Sequence, residues 1–458
     1  MIGSLKRIQI KGLNGTRTID ITIKDNTLIL VGENGSGKTT ILRILFHFLS
    51  GNWILLYPIQ FQEIIAIIDK EEYKLTREQL DGIFKRITNP DYLRVFPPSI
   101  QYHIRNVISH SPPDQVFFEL KKLSERYGIS FDFIEWESKK TRKINKAQYN
   151  EKMDEDIIAA MRKAISAQIL YLPTYRRIER ELSSILENTT PNDSQQKKEL
   201  NKQLDTNAGY IELVEFGMKD VERAIVTKLD ELKEFARKNL TNLTLQYLGD
   251  VVDKKYENIG IDEIAGLPEK TIRSVLDRID ETILKREHKE RLFKEINLVR
   301  LEKLDTVHNK IISHYFIKLL AFQKSLEMEE KPISDFCALC SEYVANKKLI
   351  YDYINFKFLI QTSDESGEIK EIELHDLSSG EKQIVSLFSH LYLSGQKKYF
   401  ILIDEPELSL SVPWQRRFLI DICKSEFYTG LIAATHSPFI YDNDLLPYAH
   451  GLGEFEGI

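Results

Sequence analysis

The stretch GENGSGKTT, Gly32 to Thr40, decides how the rest of the chain is read. It matches G-x-x-x-x-G-K-[ST] and follows the apolar run TLILV. It opens a segment, Lys38 to Leu49, in which Ile41, Leu42, Leu45 and Leu49 recur at helical spacing. Strand, glycine-rich turn and helix in that order make a loop whose backbone N–H groups close on phosphate oxygens, at a helix N-terminus that favours an anion. The residues expected to line it are Asn34, Gly35, Ser36, Gly37, Lys38, Thr39 and Thr40. Lys38 would add a point charge at the β- and γ-phosphates, and Thr39 would put a hydroxyl on Mg²⁺, so ATP with Mg²⁺ is the expected ligand.

Upstream, LKRIQIKGL and TRTIDITI alternate like half-buried strands around an Asn14-Gly15 turn. Downstream, FQEIIAIIDKEEYKL predicts a hairpin turning near Asp69–Glu71. A mixed, mostly helical insertion is expected over about 76–164, and AQILYLP (167–173) reads as a buried strand. From about Arg177 charge rises. Val214, Met218, Val221, Ile225, Leu229, Leu232, Ala236, Leu240 and Leu243 step by three or four residues, the spacing of an amphipathic helix. Residues 268–304 behave similarly. Two or more antiparallel helices of at most about 45 residues, about 70 Å at 1.5 Å per residue, form a stubby bundle. Strands return after about Asn355.

Two further apolar strands end in chemistry. YFILIDEPE (399–407) places Asp404 and Glu405 at a strand tip. Asp404 would hold Mg²⁺, and Glu405 would orient or deprotonate an attacking water. GLIAATHSPF (430–439) ends in His436, which could contact the γ-phosphate and relay the position of that water.

Composition narrows the class. With 42% hydrophobic and 29% charged residues, a globular core is expected rather than disorder. A net charge of −6 gives no overall bias toward nucleic acid, so DNA contact would need a local patch or a partner. The densest basic run, ESKKTRKINK (137–146), lacks aromatic interleaving and reads as a solvated loop. Three cysteines suit a reducing compartment, and Cys337 and Cys340 sit in a helix-like pattern as buried structural residues. No run approaches the roughly 20 apolar residues of a membrane span, so a cytoplasmic protein without membrane contact is expected.

The order of these pieces, with LHDLSSGEKQ (374–383) between the helical segment and the Asp-Glu strand, resembles ABC-type ATPase heads. LSSGE is similar to the LSGGQ signature of that family. The resemblance implies that Ser378 and the N–H groups at Gly380 meet ATP bound by a second head, giving a homodimer with two composite sites. The expected fold is α/β: an ABC-type P-loop head of two lobes with a mixed sheet and an inserted antiparallel helical bundle or short coiled coil. The expected domains are 1–176 (N-terminal lobe), 177–354 (helical insertion for dimerisation and assembly) and 355–458 (C-terminal lobe).

Within the family the chain resembles the SMC, Rad50, RecF and OLD group. EPELSLSVPWQRRFL is similar to an OLD stretch, with Ser411 where His is usual. The few residues after Phe439 leave no room for the Toprim nuclease of OLD proteins, so no intrinsic nuclease is expected. LYLPTYRRIERE (170–181) and YIELVEFGMKDVERAI (210–225) look like the PtuA family, the ATPases of Septu anti-phage systems and relatives encoded with retrons. That resemblance implies a separate HNH nuclease partner (PtuB-like), a higher oligomer built from ATPase dimers, and DNA reached through the complex. The alternative is a RecF- or Rad50-like repair ATPase that clamps DNA directly. Arg176 or Arg177 stands where related heads place a glutamine, and Asn14 where they contact adenine.

Overall fold

The computed structural model describes residues 3–87, 151–173, 210–212, 218–258, 264, 266–279, 284–302, 306–363, 367–395 and 397–457. The basic run 137–146, Arg176, Arg177 and Val214 lie outside them. Two compact units partition the chain: Met1–Glu215 with Lys397–Ile458, and Phe216–Gln396.

The first unit holds two sheets of opposite character. Strands β1 (Leu5–Leu13), β2 (Arg17–Thr22), β4 (Glu63–Ile68), β5 (Glu71–Thr76) and β14 (Glu456–Gly457) form an antiparallel sheet in the order β14-β2-β1-β4-β5. Alternating burial along β4 and β5 is the signature of a sheet with one covered face. The hairpin between them turns at Asp69, whose φ is +53°.

The second sheet is parallel throughout its described pairings. Its order is β13 (Ala449–Gly451), β3 (Thr27–Val31), β12 (Tyr428–Thr435), β11 (Tyr399–Asp404), β6 (Gln168–Leu172), β7 (Tyr210–Glu212). Every residue of β11 is buried, and β12 is buried from Thr429 on, because a central parallel strand is covered on both faces. Helix α1 (Lys38–Leu49) packs on this sheet, with Phe46 stacked on Tyr171 at 4.8 Å. Its buried residues point in most directions, as a helix enclosed by both sheets requires. The expected mixed sheet is thus a parallel and an antiparallel sheet sharing one core. Helices α2 (Arg77–Ile87) and α3 (Glu151–Ile165) are the described part of the 76–164 insertion. Arg162 of α3 donates to the Ser50 carbonyl just past α1 at 2.7 Å. Helix α9 (Val412–Lys424) connects β11 to β12.

The second unit is led by α4 (Met218–Val252) and α7 (Val307–Ser341), each 35 residues or about 52 Å long. Lys228 faces Glu329 while Tyr247 donates to the Ile311 carbonyl, so the two helices run antiparallel. Val221, Ile225, Leu229, Leu232, Ala236 and Leu243 are buried along α4, following the expected series. The 268–304 segment is not one helix. It breaks into α5 (Glu269–Asp277) and α6 (Arg286–Glu302), whose apolar faces build a small core with Phe316 and Leu319 of α7.

Residues 177–354 are not helical throughout. β7 lies within that range, and β8 (Lys347–Asp352) begins before the expected return of strands. β8 pairs antiparallel with β9 (Lys357–Ser363), which pairs with β10 (Ile369–Ile372). The stretch KKLIYD is short and mostly half-exposed, so its pattern blended into the helix before it. This sheet and α8 (Ser379–Leu393) cluster with the long helices rather than with β11 and β12. α8 packs on α4 and α7 through residues such as Phe388, whose ring lies 5.7 Å from Tyr343. Cys337 and Cys340 are buried on α7, where burial pushes the Cys337 thiol up to about 12. Among the described residues no group of three or more His, Cys, Asp or Glu could hold a metal by itself.

Candidate nucleotide site

Three connections leave the parallel sheet at one edge. Thr435 of β12 stands beside Val31 of β3, and Ala434 stands beside Asp404 of β11. The loop after β3, the tip of β11 and the residue after β12 therefore converge at the carboxyl ends of the strands, where open α/β sheets bind ligands.

The first connection is the glycine-rich loop. Gly35 (φ +82°) and Gly37 (φ +99°) take left-handed conformations that disfavour a side chain, and a Cβ at either would meet nothing within 4 Å. Asn34 and Thr40 are exposed. Ser36 Oγ is buried without a hydrogen-bond partner. Lys38 is buried, and its Nζ donates to the Gly32 carbonyl at 2.7 Å and the Glu33 carbonyl at 2.8 Å. An ammonium has three donors, so one remains for an anion. A free buried hydroxyl, a partly satisfied ammonium and open space above two left-handed glycines together fit a phosphate chain.

The second connection is the tip of β11. Thr39 Oγ1 donates to Asp404 Oδ1 at 3.1 Å, across 365 residues of sequence. A hydroxyl and a carboxylate side by side next to a phosphate cradle are the oxygen donors a Mg²⁺ ion takes. Glu405 follows at φ +49°, with its N–H on the Ala434 carbonyl at 2.8 Å. Burial, then the Asp404 and Glu407 carboxylates, push the Glu405 carboxyl above the usual range, while His436 and Lys38 pull the other way. A raised carboxyl beside a phosphate site is suited to accept a proton.

The third connection carries His436, whose side chain is 45% exposed. Its ring Nδ1 lies 2.9 Å from Glu407 Oε1, and its backbone N–H donates to the same oxygen at 3.0 Å. Glu407 Oε2 accepts from Thr435 Oγ1 at 2.8 Å. Thr435 Oγ1 in turn accepts from the Ser437 N–H, and Ser437 Oγ donates to Gln415 Oε1 on α9. Glu407 was not among the residues expected from sequence. The second glutamate in Asp-Glu-Pro-Glu was the available signal.

The signature lies in the other unit. Ser378 caps α8: its hydroxyl accepts from the Glu381 N–H, and its N–H donates to Glu381 Oε2 at 2.7 Å. Ser378 and Ser379 are exposed, whereas Gly380 is buried in the first turn. Glu381, where LSGGQ has glutamine, is buried and receives Lys347 Nζ at 2.8 and 3.0 Å. Burial opposes its charge, but Lys347 and the Ser378 donors outweigh burial and hold the carboxyl below its usual range. Asn14, at φ +52°, donates its backbone N–H to the Gln60 carbonyl and is exposed.

A family model described as an AAA ATPase domain matches residues 4–441. The chain belongs to that AAA ATPase domain family. In this chain the loop with Lys38 and the Thr39–Asp404 pair are the parts that fit a nucleotide. A Deinococcus radiodurans protein described as an ABC transporter ATP-binding protein is 28% identical over 117 residues. That match covers 25% of this chain and 46% of the relative, so the chain spans about half the relative's length. Two solved SMC head domains with coiled coils, from Pyrococcus furiosus (14% identical) and Pyrococcus yayanosii (18%), align over 96% of this chain and 92% and 94% of theirs. Both TM-scores are 0.32, too low to add to the strand order described above. Among the described residues of this AAA ATPase, no helix is long and apolar enough to cross a membrane.

Proposed function

We propose that the chain is the ATP-binding and ATP-hydrolysing subunit of an anti-phage defence complex of the PtuA type, which assembles with a separate HNH nuclease and controls it. The observation that carries the ATPase part is the pairing of Thr39 with Asp404 beside the buried Lys38. The defence part rests on LYLPTYRRIERE and YIELVEFGMKDVERAI, which resemble that family.

In this reading the N–H groups of residues 34–40 and the Lys38 ammonium hold the β- and γ-phosphates. Thr39 and Asp404 would hold a Mg²⁺ ion, which when bound neutralises phosphate charge. Water attacks the γ-phosphorus, the bond to the ADP oxygen breaks, and Glu405 takes the proton of the water. His436 orients the water or the γ-phosphate. Ser378 and the first turn of α8 present donors to the nucleotide of a second copy, so two heads close on two ATP molecules. ATP binding then sets head geometry, and head geometry gates the nuclease.

The test is mild purification from the native host, with mass spectrometry and a plasmid-cleavage assay on the eluate. A stoichiometric small HNH protein, with cleavage lost when it is stripped away, supports the reading. An isolated chain that binds DNA in a salt-sensitive way, with ATP turnover stimulated by DNA, would replace it with a repair clamp of RecF or Rad50 type.

A further inference from the structure

We infer that Gln415 is a positioning residue for the proposed chemistry: its side-chain amide ties the turn that carries Glu405 to the loop that carries His436. This rests on hydrolysis at the site as proposed above.

The turn after β11 needs outside support to keep its shape. Glu405 (φ +49°) and Ser409 (φ +63°) are both non-glycine residues in left-handed conformations. Two such residues so close together persist only where the surroundings over-determine them. Part of the anchoring is backbone. The Glu405 N–H donates to the Ala434 carbonyl at 2.8 Å, the Leu408 N–H to the Glu405 carbonyl at 3.2 Å, and the Leu410 N–H to the Glu407 carbonyl at 3.1 Å. Gln415, in the first turn of α9, supplies a side-chain part. Its Nε2 donates to the Leu410 carbonyl at 2.9 Å, and its Oε1 accepts from Ser437 Oγ at 2.8 Å. The amide orientation follows from chemistry. A carbonyl oxygen only accepts, so Nε2 must face Leu410 and Oε1 must face the hydroxyl.

The bridge closes a circuit. The Ser437 N–H donates to Thr435 Oγ1 at 3.0 Å, and Thr435 Oγ1 donates to Glu407 Oε2 at 2.8 Å. The Leu410 N–H on the Glu407 carbonyl then returns the chain of contacts to the residue that Gln415 holds. The His436 N–H joins through Glu407 Oε1 at 3.0 Å. Thr435, Ser437 and Glu407 are buried, so a polar group left without its partner there is costly, and a satisfied circuit holds one arrangement. Strand pairing already fixes where β11 and β12 end. The circuit adds the separation of the two loops beyond those ends, one starting at Glu405 and the other at His436. Cutting it at Gln415 loosens both loops at once. Lys38, Thr39 and Asp404 are not members of it, so the cradle is left as it stands.

The experiment uses the full chain carrying Gln415→Met, which matches the glutamine in length and removes both hydrogen bonds. Its kcat for ATP is expected to fall about 10- to 100-fold, the cost of displacing a reacting group by about 1 Å, while affinity for a non-hydrolysable ATP analogue holds. Ser437→Ala breaks one of the two contacts and is expected to lower kcat by a smaller factor. Both changes cut the same bridge, so the double variant is expected to be no slower than Gln415→Met alone. Amide hydrogen exchange without nucleotide, read by mass spectrometry, is expected to quicken together in peptides covering 405–411 and 435–441. A native kcat in Gln415→Met, a loss of analogue affinity as large as the loss of kcat, multiplying effects in the double variant, or faster exchange confined to one of the two loops would overturn the inference. If the Met variant does not fold, Ser437→Ala still decides, by its kcat and by exchange in 405–411 across the bridge. A native chain without ATP turnover defeats the hydrolysis reading, whereas the exchange pattern reports on the bridge alone.

Discussion

Glu405 occupies a left-handed conformation, φ +49°, that costs a non-glycine residue about 1 kcal/mol, and its carboxyl is pushed toward protonation by burial and two neighbouring carboxylates. Both costs fall on the residue proposed above to take the proton of the attacking water. Replacing it by glycine is expected to raise the unfolding free energy by about 1 kcal/mol in denaturant titration while abolishing ATP turnover. A less stable variant would show that the conformation is not strained. Lys38 is the complementary case, since its Nζ is satisfied by two loop carbonyls yet keeps one donor. Lys38→Ala is expected to abolish nucleotide binding by calorimetry with the circular dichroism spectrum unchanged. Native ATP affinity in that variant would refute the site.

At the scale of elements, the signature helix α8 is set by local chemistry. Ser378 and Glu381 cap it reciprocally, a Ser-x-x-Glu pattern legible in the sequence. Lys347, which neutralises Glu381, comes from β8 and was not legible, because a contact between strand and helix 34 residues apart leaves no periodic trace. Lys347→Met strands a buried carboxylate and is expected to cost about 2 kcal/mol, discounted for the partial exposure of the lysine. Adding Glu381→Gln should restore most of that stability. The pH dependence has a defined sign. The folded Glu381 carboxyl lies below its unfolded value, so its contribution is present above about pH 4 and is lost as pH falls through the folded value. Glu381→Gln should remove that part of the acid sensitivity, read as thermal midpoint against pH. In the helical core, Phe316 is 1% exposed between α5, α6 and α7, and Phe316→Ala is expected to cost about 3–5 kcal/mol.

For the molecule as a whole, the proposal of paired heads makes one demand that a monomeric ATPase would not meet. A Lys38→Ala chain and a Ser378→Arg chain should each be inactive alone. Mixed, they form some pairs in which an intact cradle faces an intact signature, and ATP turnover returns to about a quarter of the native value, in proportion to composite sites of intact halves. Turnover that stays at zero across mixing ratios would argue against sites completed in trans.

The sequence by itself determined the local pieces. The glycine-rich loop, the buried strands ending at Asp404-Glu405 and at His436, the Ser378 cap and the spacing of α4 all follow from turn chemistry, continuous apolar runs and helical period. Tertiary structure alone decided what those pieces face. Strand order put Thr39 against Asp404 and brought Glu407 beside His436, and strands as short as β13 and β14 extended the sheets at one edge through pairing partners more than 400 residues away. Pattern reads a residue against its neighbours in the chain, whereas a hydrogen bond or ion pair is set by neighbours in space, and those exist only once the sheets have assembled.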